Sequence, residues 1–537
     1  MQQAFDYIVV GAGSAGCVLA NRLSADPDCS VLLVEAGPPD RSLFIRMPAA
    51  FTYAISRARF DWGYRSEPED AVSGKRFPIP RGRVLGGSSS VNAMSFVRGQ
   101  RRDYDAWAEA GLDAWSYRHC LPYFRRMETF SGGASAWRGG DGPLHVRAPE
   151  AANPLDRAFL RAAVEAGHAL RDNTNDAEQE GFSVMDQTIH DGRRESAATA
   201  YLHPVRGRAN LTVLTGRLTT RVLMEGRRAV GIVCQGQGGE DRLHASREVV
   251  LCAGAINSPK LLMLSGIGPA DMLQGHGLPV IADLPGVGAN LQDHVDVAVM
   301  VSCTRPVSVT PALRWHNKGL VGLRWLLTRG GAASTNHFET AGYVRSRPGA
   351  ARPDIQFVFI PVMVMPDGTA LPEPHGYQAT VMLMHPQSRG SVTLAGPDPA
   401  AAPMVRFNYL REARDGETLI HGIARLREIF AQPAFDPYRG REVVPSAALA
   451  DSATLDAFLR ANLRSTHHPC GTCRMGTDAE AVVDGEGRVR GVESLRVVDA
   501  SIMPAITSGN INAPVIMLAE KLADAILGRD PLEPAAV

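Results

Sequence analysis

Residues 6–35 constrain the fold of this chain more tightly than any other stretch. Asp6-Tyr7-Ile8-Val9-Val10 is a short apolar strand that runs straight into Gly11-Ala12-Gly13-Ser14-Ala15-Gly16. Cys17 to Leu23 then carries helical spacing, and Val31-Leu32-Leu33-Val34 forms a second strand ending in Glu35. The pattern predicts a βαβ unit with a right-handed crossover and a parallel, buried sheet. Gly11 permits the tight turn, Gly13 lets backbone approach a pyrophosphate, and Gly16 lets helix and strand pack closely. The helix start at Ser14 and Ala15 offers unpaired N–H donors to an anion. Glu35, followed by Ala36, is placed to accept hydrogen bonds from a ribose 2′,3′-diol, which disfavours a 2′-phosphate. This motif alone does not separate NAD from FAD.

The chain has 537 residues, room for two to four domains at roughly 150 residues each. Residues 38–110 read as loops around a Gly/Ser-rich segment from Arg81 to Asn92, and 131–142 as an exposed excursion. Residues 210–250 read as a β-meander. Glu248 to Cys252 then resumes the first sheet, followed by a helix over Asn257–Leu264. Longer alternating runs at 354–360 and 378–384, with an amphipathic helix near 419–430, predict a separate antiparallel sheet. Leu495–Val498 and a helix over Pro514–Leu527 return to the first sheet. The expected fold is therefore α/β: a discontinuous Rossmann-like unit (1–150, 206–297 and 466–537) beside an α+β substrate-binding unit (298–465), with 151–205 on the substrate side.

Lys+Arg and Asp+Glu are both 56, and no basic stripe marks a nucleic-acid partner. No apolar run reaches the ~18 residues of a membrane span. Met1 to Asp6 has no charged or apolar leader pattern. The expected location is the cytoplasm, with peripheral contact at the inner membrane as the variant. The eight cysteines are mostly isolated in apolar stretches, where reduced thiols are expected. Cys470 and Cys473 follow His467 and His468, but four ligands so close together would strain a tetrahedral site. A packed turn is expected there, and no metal.

Arg81-Gly82-Arg83-Val84-Leu85-Gly86-Gly87-Ser88-Ser89-Ser90-Val91-Asn92 places small residues consecutively, as suits backbone lying against a flat ring or a phosphate. With Ala253-Gly254-Ala255-Ile256-Asn257-Ser258-Pro259, Leu291-Gln292-Asp293-His294, His468-Pro469-Cys470-Gly471-Thr472 and Val498-Asp499-Ala500-Ser501, the chain resembles the glucose–methanol–choline (GMC) family of FAD-dependent oxidoreductases. The resemblance runs from residue 5 to about 527. Its texture is choline-dehydrogenase-like through Ser508-Gly509-Asn510-Ile511-Asn512-Ala513-Pro514.

The resemblance implies FAD as cofactor and an alcohol as substrate, with oxygen or a quinone-like carrier as acceptor. It adds Arg83, Gly86, Gly87, Ser88, Asn92, Val222, Ala253, Asp499, Ala500, Asn510 and Asn512 to the cofactor-binding residues. His468 matches the active-site histidine and Asn510 its partner. An imidazole with an ordinary pKa near 6.5 suits removal of the hydroxyl proton while hydride leaves for flavin N5, so the rate should rise with pH through that ionisation. His467 is expected to point away from the flavin as a structural residue. Asn512 and Pro514 read as N-cap and N1 of the last helix. Val91 stands where some relatives tether FAD through a histidine, so the flavin is expected to be non-covalent. Glu339 resembles a position in choline dehydrogenases and is a candidate for pairing with a cationic amine. A lyase or decarboxylase on the same scaffold, or a non-catalytic flavoprotein, are the rival readings. The motifs leave the particular alcohol and the number of subunits open.

Overall fold

The computed structural model describes residues 4–236, 238–365, 375–446, 448–449 and 451–537. Met1–Gln3, part of the N-terminal stretch read above, lie outside the described residues. The strand Ala4–Val10 pairs in parallel with Val31–Glu35 from Tyr7 opposite Val31 to Val10 opposite Val34. All five residues of the second strand are buried, which explains its unbroken apolar sequence. On the other side, Ala4–Val10 pairs in parallel with Gly239–Leu251, and that strand pairs in parallel with Leu495–Val497. The first sheet is thus assembled from segments at both ends of the chain and its middle, as expected.

The predicted meander holds for two hairpins. Leu218–Glu225, Arg228–Gly236 and Gly239–Leu251 are successive antiparallel neighbours. Its expected first strand belongs elsewhere: Leu211–Thr215 runs parallel along Val31–Glu35 and closes the far edge. Backbone bonds fix it there, because the Val31 N–H donates to Asn210 and the Arg217 N–H donates to the Glu35 carbonyl.

Helix Ser14–Leu23 packs against the final helix, Asn512–Ile526. A buried carboxylate, Glu520, pins the pair by accepting from Arg22 at 2.7 Å and from the Tyr201 hydroxyl at 2.8 Å. The second sheet is antiparallel throughout, in the order 439–444, 295–303, 376–383, 355–360, 340–344, 181–184. Helix Ala413–Phe430 covers one face with Leu419, Ile423 and Leu426. It approaches closely at Gly422, where a Cβ would lie 2.5 Å from Val381 Cγ1. Residues 151–205 are shared between the cores. Pro154–Glu165 and Gly181–Val184 join the second sheet, whereas Ala197–Val205 packs on the first.

Two loop expectations need correction. Within 38–110, Leu43–Arg46, Phe51–Ile55 and Arg101–Glu109 are helical. The last starts on a capping box between Gln100 and Asp103, a pattern with Gln at N-cap that composition alone obscures. Within 131–142, residues 131–136 are exposed, but Arg138 is buried and bonds Glu128 at 2.8 Å and Asp186 at 2.9 Å. Among the described residues, no helix is long and apolar enough to cross a membrane.

Candidate active site

A cavity runs from the Gly11–Ala15 turn and Glu35 past Gly87 and Ser88 to Thr466–Pro469 and Asn510–Asn512. The end at the Gly11–Ala15 turn is built by close backbone approach. A Cβ on Gly16 would sit 1.9 Å from the Gly11 carbonyl oxygen, so only glycine lets the helix start this near the strand. The Gly86 N–H donates to the Ala12 carbonyl at 2.7 Å, which lays the second glycine-rich segment across the first. The Ser14 hydroxyl donates to Asn512 Oδ1 at 2.7 Å, bringing two helix N-termini to one place. Asn512 is therefore not the N-cap expected from sequence: Ile511 holds that position and the Asn512 side chain reaches across to the first helix.

Glu35 lies on the cavity wall with its oxygens accepting from the Ala12 N–H at 2.9 Å and the Gly37 N–H at 2.8 Å. Burial pushes its pKa up to about 7, against those two N–H groups and Arg83. Each oxygen keeps a second lone pair for a ribose hydroxyl. Asp499 accepts from the Gly254 N–H at 2.8 Å and the Ser258 hydroxyl at 2.5 Å, and so shapes the Ala253–Gly254 wall. Asn92 takes the Met94 N–H at 3.0 Å and Arg194 at 2.8 Å. Two converging helix N-termini, a cleft walled by glycine and alanine, and a buried carboxylate together fit an extended dinucleotide. Val91 on the wall offers no nucleophile for a covalent bond.

Replacing Glu35 by Gln should therefore weaken FAD binding about 10–100-fold. An amide cannot accept at both positions and leaves a buried N–H unpaired, at roughly 1–3 kcal/mol. Equilibrium titration of the apoprotein with FAD measures this; an unchanged affinity removes Glu35 from the site.

Of the expected cofactor residues, Gly11, Gly13, Ser14, Ala15, Glu35, Ala36, Gly87, Ser88, Asn92, Ala253, Asp499, Ala500, Asn510 and Asn512 line this cavity. Gly16, Arg83, Gly86 and Val222 are outside its wall. Gly16 and Gly86 act through packing. Arg83 places its guanidinium 5.1 Å from the Trp62 ring centre. The Val222 N–H is taken by the Ser265 hydroxyl at 2.9 Å, and Leu218 and Thr219 of the same strand line the cavity instead. Glu339 is likewise off the wall. Its carboxylate accepts from the Thr335 hydroxyl at 2.7 Å and its carbonyl from the Met185 N–H, anchoring the start of the neighbouring strand.

The far end holds the histidines. His468 Nε2 meets Asn510 Nδ2 at 3.1 Å, and its Nδ1 meets His294 Nδ1 at 3.0 Å and Thr466 Oγ1 at 3.1 Å. His294 Nε2 lies 3.0 Å from the Met384 carbonyl, which only accepts, so that nitrogen carries the proton. Burial drives the His294 pKa down to about 3, so the ring is neutral and its Nδ1 is bare. His468 must then donate from Nδ1, leaving the lone pair on Nε2 beside Asn510. Burial, followed by His294, Arg81 and His467, holds the His468 pKa well below its ordinary value.

The neighbouring Asp293 accepts from the His468 N–H at 2.6 Å and from the Tyr409 hydroxyl at 2.6 Å. Adjacent residues of one short segment therefore grip the backbone and the ring of His468. Asp293-His294 stands in a family motif, but its spacing assigns it no role; nothing local in the sequence marks Tyr409 and Ser465, which both donate to Asp293, or the apolar wall of Phe51, Ile55 and Trp62. His467, expected to point away, lines the cavity too. Its left-handed backbone, φ 66°, turns its carbonyl to the Arg81 guanidinium at 2.6 Å. Among the described residues the Asn510 Oδ1 is buried without a partner, an acceptor left for a group yet to bind. Cys470 and Cys473 are buried thiols in the turn beyond.

Two models described as GMC oxidoreductase match residues 5–296 and 386–519. An oxygen-dependent choline dehydrogenase of Brucella anthropi is 48% identical over 529 residues, covering 98% of this chain and 96% of that protein. One from Rhizobium etli is 49% identical with the same coverage. Among solved structures, pyridoxine 4-oxidase from Mesorbium loti superposes with a TM-score of 0.90 at 35% identity, covering 98% of this chain and 100% of that one. A formate oxidase variant from Aspergillus oryzae RIB40 gives 0.92 at 27%, covering 98% and 99%.

Proposed function

The chain belongs to the GMC oxidoreductase family, as an FAD-dependent enzyme acting on CH–OH donors, and on that premise we propose that His468 is its base and Asn510 its hydroxyl anchor. FAD, when bound, supplies the acceptor for the hydride that leaves the alcohol carbon. The observation that carries the reading is the unprotonated Nε2 of His468, 3.1 Å from the Asn510 amide donor, both residues lining the cavity. An alcohol hydroxyl entering there takes the place of the Asn510 bond at Nε2 and donates its proton to that nitrogen, while Asn510 Nδ2 turns its N–H to the hydroxyl oxygen. The proton ends on His468, the oxygen becomes the carbonyl of an aldehyde or ketone, and the bond to hydrogen on carbon breaks.

The first sheet's unit, residues 1–150, 206–297 and 466–537, holds the cofactor and supplies the apolar wall of Phe51, Ile55 and Trp62; among the described residues of 298–465, Pro399 reaches the cavity, and that unit acts through His294's contact with the Met384 carbonyl. Choline is the first substrate to test, because the two relatives from Brucella anthropi and Rhizobium etli are choline dehydrogenases. With Glu339 off the wall, a quaternary ammonium would be met by the ring faces of Phe51 and Trp62. Oxygen is the first acceptor to test. The reading keeps the chain in the cytoplasm, where its cysteines, seven of them buried, stay reduced.

Anaerobic mixing of the holoenzyme with choline and a panel of alcohols tests the reading. Substrate should bleach the flavin without nicotinamide, and air should restore it. Bleaching by no alcohol, or only when NAD is present, overturns it.

His294 is the positioning residue in this scheme. His294→Phe removes the acceptor that fixes the His468 tautomer and should slow flavin reduction roughly 10–100-fold with FAD still bound. His294→Asn restores an acceptor near the Nδ1 position and should recover most of that rate. Equal loss in both variants would reduce His294 to a packing role.

A further inference from the structure

Helix Trp315–Thr328 turns its apolar side outward. Leu320, Leu323 and Leu327 recur at one helical face and are 69%, 52% and 77% exposed, with Leu326 beside them at 43%. The opposite face is the one that is fixed, since Trp325 is fully buried and its Nε1–H donates to the Gly192 carbonyl at 2.6 Å. The neighbouring short helices extend the patch. Lys318 Nζ donates to the Tyr53 hydroxyl at 2.6 Å, Gly322 lies against Met47, and Leu43 and Tyr53 are 51% and 41% exposed.

The two segments that build this patch carry charge of one sign. Neither 41–60 nor 297–338 contains an aspartate or glutamate, although the chain as a whole is neutral. Arg41, Arg46, Arg57, Arg59, Lys318 and Arg324 are exposed, and among the described residues none of them forms an ion pair. Exposed leucines framed by unneutralised cations are the complement of an anionic lipid surface: the side chains enter the acyl boundary and the cations meet the headgroups. A second copy of the same face would set those cations against each other, so charge disfavours self-association.

We propose that the leucine face of Trp315–Thr328, with the adjoining arginines of 41–60, docks the enzyme on an anionic phospholipid bilayer. The docked face lies beside the cavity, because Phe51 and Ile55 come from the same short helix as Tyr53 and line the cavity wall. The helix lies on the bilayer and does not cross it. The inference stands apart from the identity of the alcohol or the acceptor.

Flotation of the full-length holoenzyme with vesicles tests it. Binding is expected to a phosphatidylcholine–phosphatidylserine mixture, to be weakened by high salt, and to be far weaker to phosphatidylcholine alone. The triple variant Leu320→Ser, Leu323→Ser, Leu327→Ser should bind the mixture at least about tenfold less while keeping its flavin spectrum and its alcohol oxidation in solution. Wild-type protein that fails to float, or that binds both lipids equally, overturns the proposal. So does a variant that binds as wild type. Sedimentation that shows a wild-type dimer falling to monomer in the triple variant assigns the face to a second copy instead.

Discussion

His468→Ala should reduce its bound FAD roughly 10²–10⁴ times more slowly than wild type when mixed anaerobically with a saturating alcohol. The loss follows from removing the imidazole whose unprotonated nitrogen its neighbours fix beside Asn510, and the flavin content should be unchanged because the Gly11–Gly16 turn, Glu35 and Asn512 are left intact. The pH dependence is the sharper part of the test. Neutral imidazole is the active form, and burial holds the His468 pKa well below 6.5. A depressed pKa extends the neutral form toward acid, so the wild-type rate should be flat through pH 6.5 and fall only at lower pH. That differs from the rise near 6.5 that an unperturbed histidine would give. His467→Ala should have a much smaller effect, since its Nδ1 faces the Ser465 hydroxyl at 3.2 Å and its carbonyl is held by Arg81. If His467→Ala is the slow variant and His468→Ala is not, the two neighbours exchange roles. If both keep wild-type rates, the base lies elsewhere.

What was legible in the sequence is what depends on local spacing. The run from Asp6 to Glu35 specifies strand, turn, helix and strand because each element's period and glycine positions lie within a few residues of one another. The same holds for the alternating strands at 355–360 and 376–383. Leu211–Thr215 was misplaced because its sequence is equally that of a hairpin strand and of a parallel edge. Only pairing with Val31–Glu35, far away in the chain, decides between them. The same limit applies at the site. His468 and Asn510 were read from a family resemblance. The reason His468 is oriented is a chain of contacts from Met384 through His294, between residues 90 and 174 positions apart. No spacing rule encodes such a relay. Glu339 shows the converse: a plausible acid in a plausible segment, directed by its Thr335 hydrogen bond to a place the cavity does not reach.

Gly87→Ala should yield a chain that folds but is isolated with less than about a tenth of the wild-type flavin, a loss of more than ~1.4 kcal/mol in cofactor affinity. Two effects act at this position and they are separable. The backbone sits at φ 54°, where an L side chain costs roughly 1–2 kcal/mol. In addition, the new Cβ would lie 2.6 Å from Gly13 Cα, which is backbone of the turn that meets the pyrophosphate and has no rotamer by which to yield. The two glycine-rich segments must then part, and overpacking of this kind typically costs a further 1–3 kcal/mol. Gly74→Ala is the control for the first effect alone. Gly74 has φ 71° but nothing within 4 Å of a built Cβ, so that variant should lose a comparable amount of backbone stability and keep its flavin. The ratio of flavin to protein absorbance in the purified variants decides the matter. Equal flavin loss in both would mean that φ strain, not the closeness of Gly13 and Gly87, is what the cofactor site requires of glycine. Full flavin in Gly87→Ala would mean that the facing segments are free to separate without disturbing the cofactor.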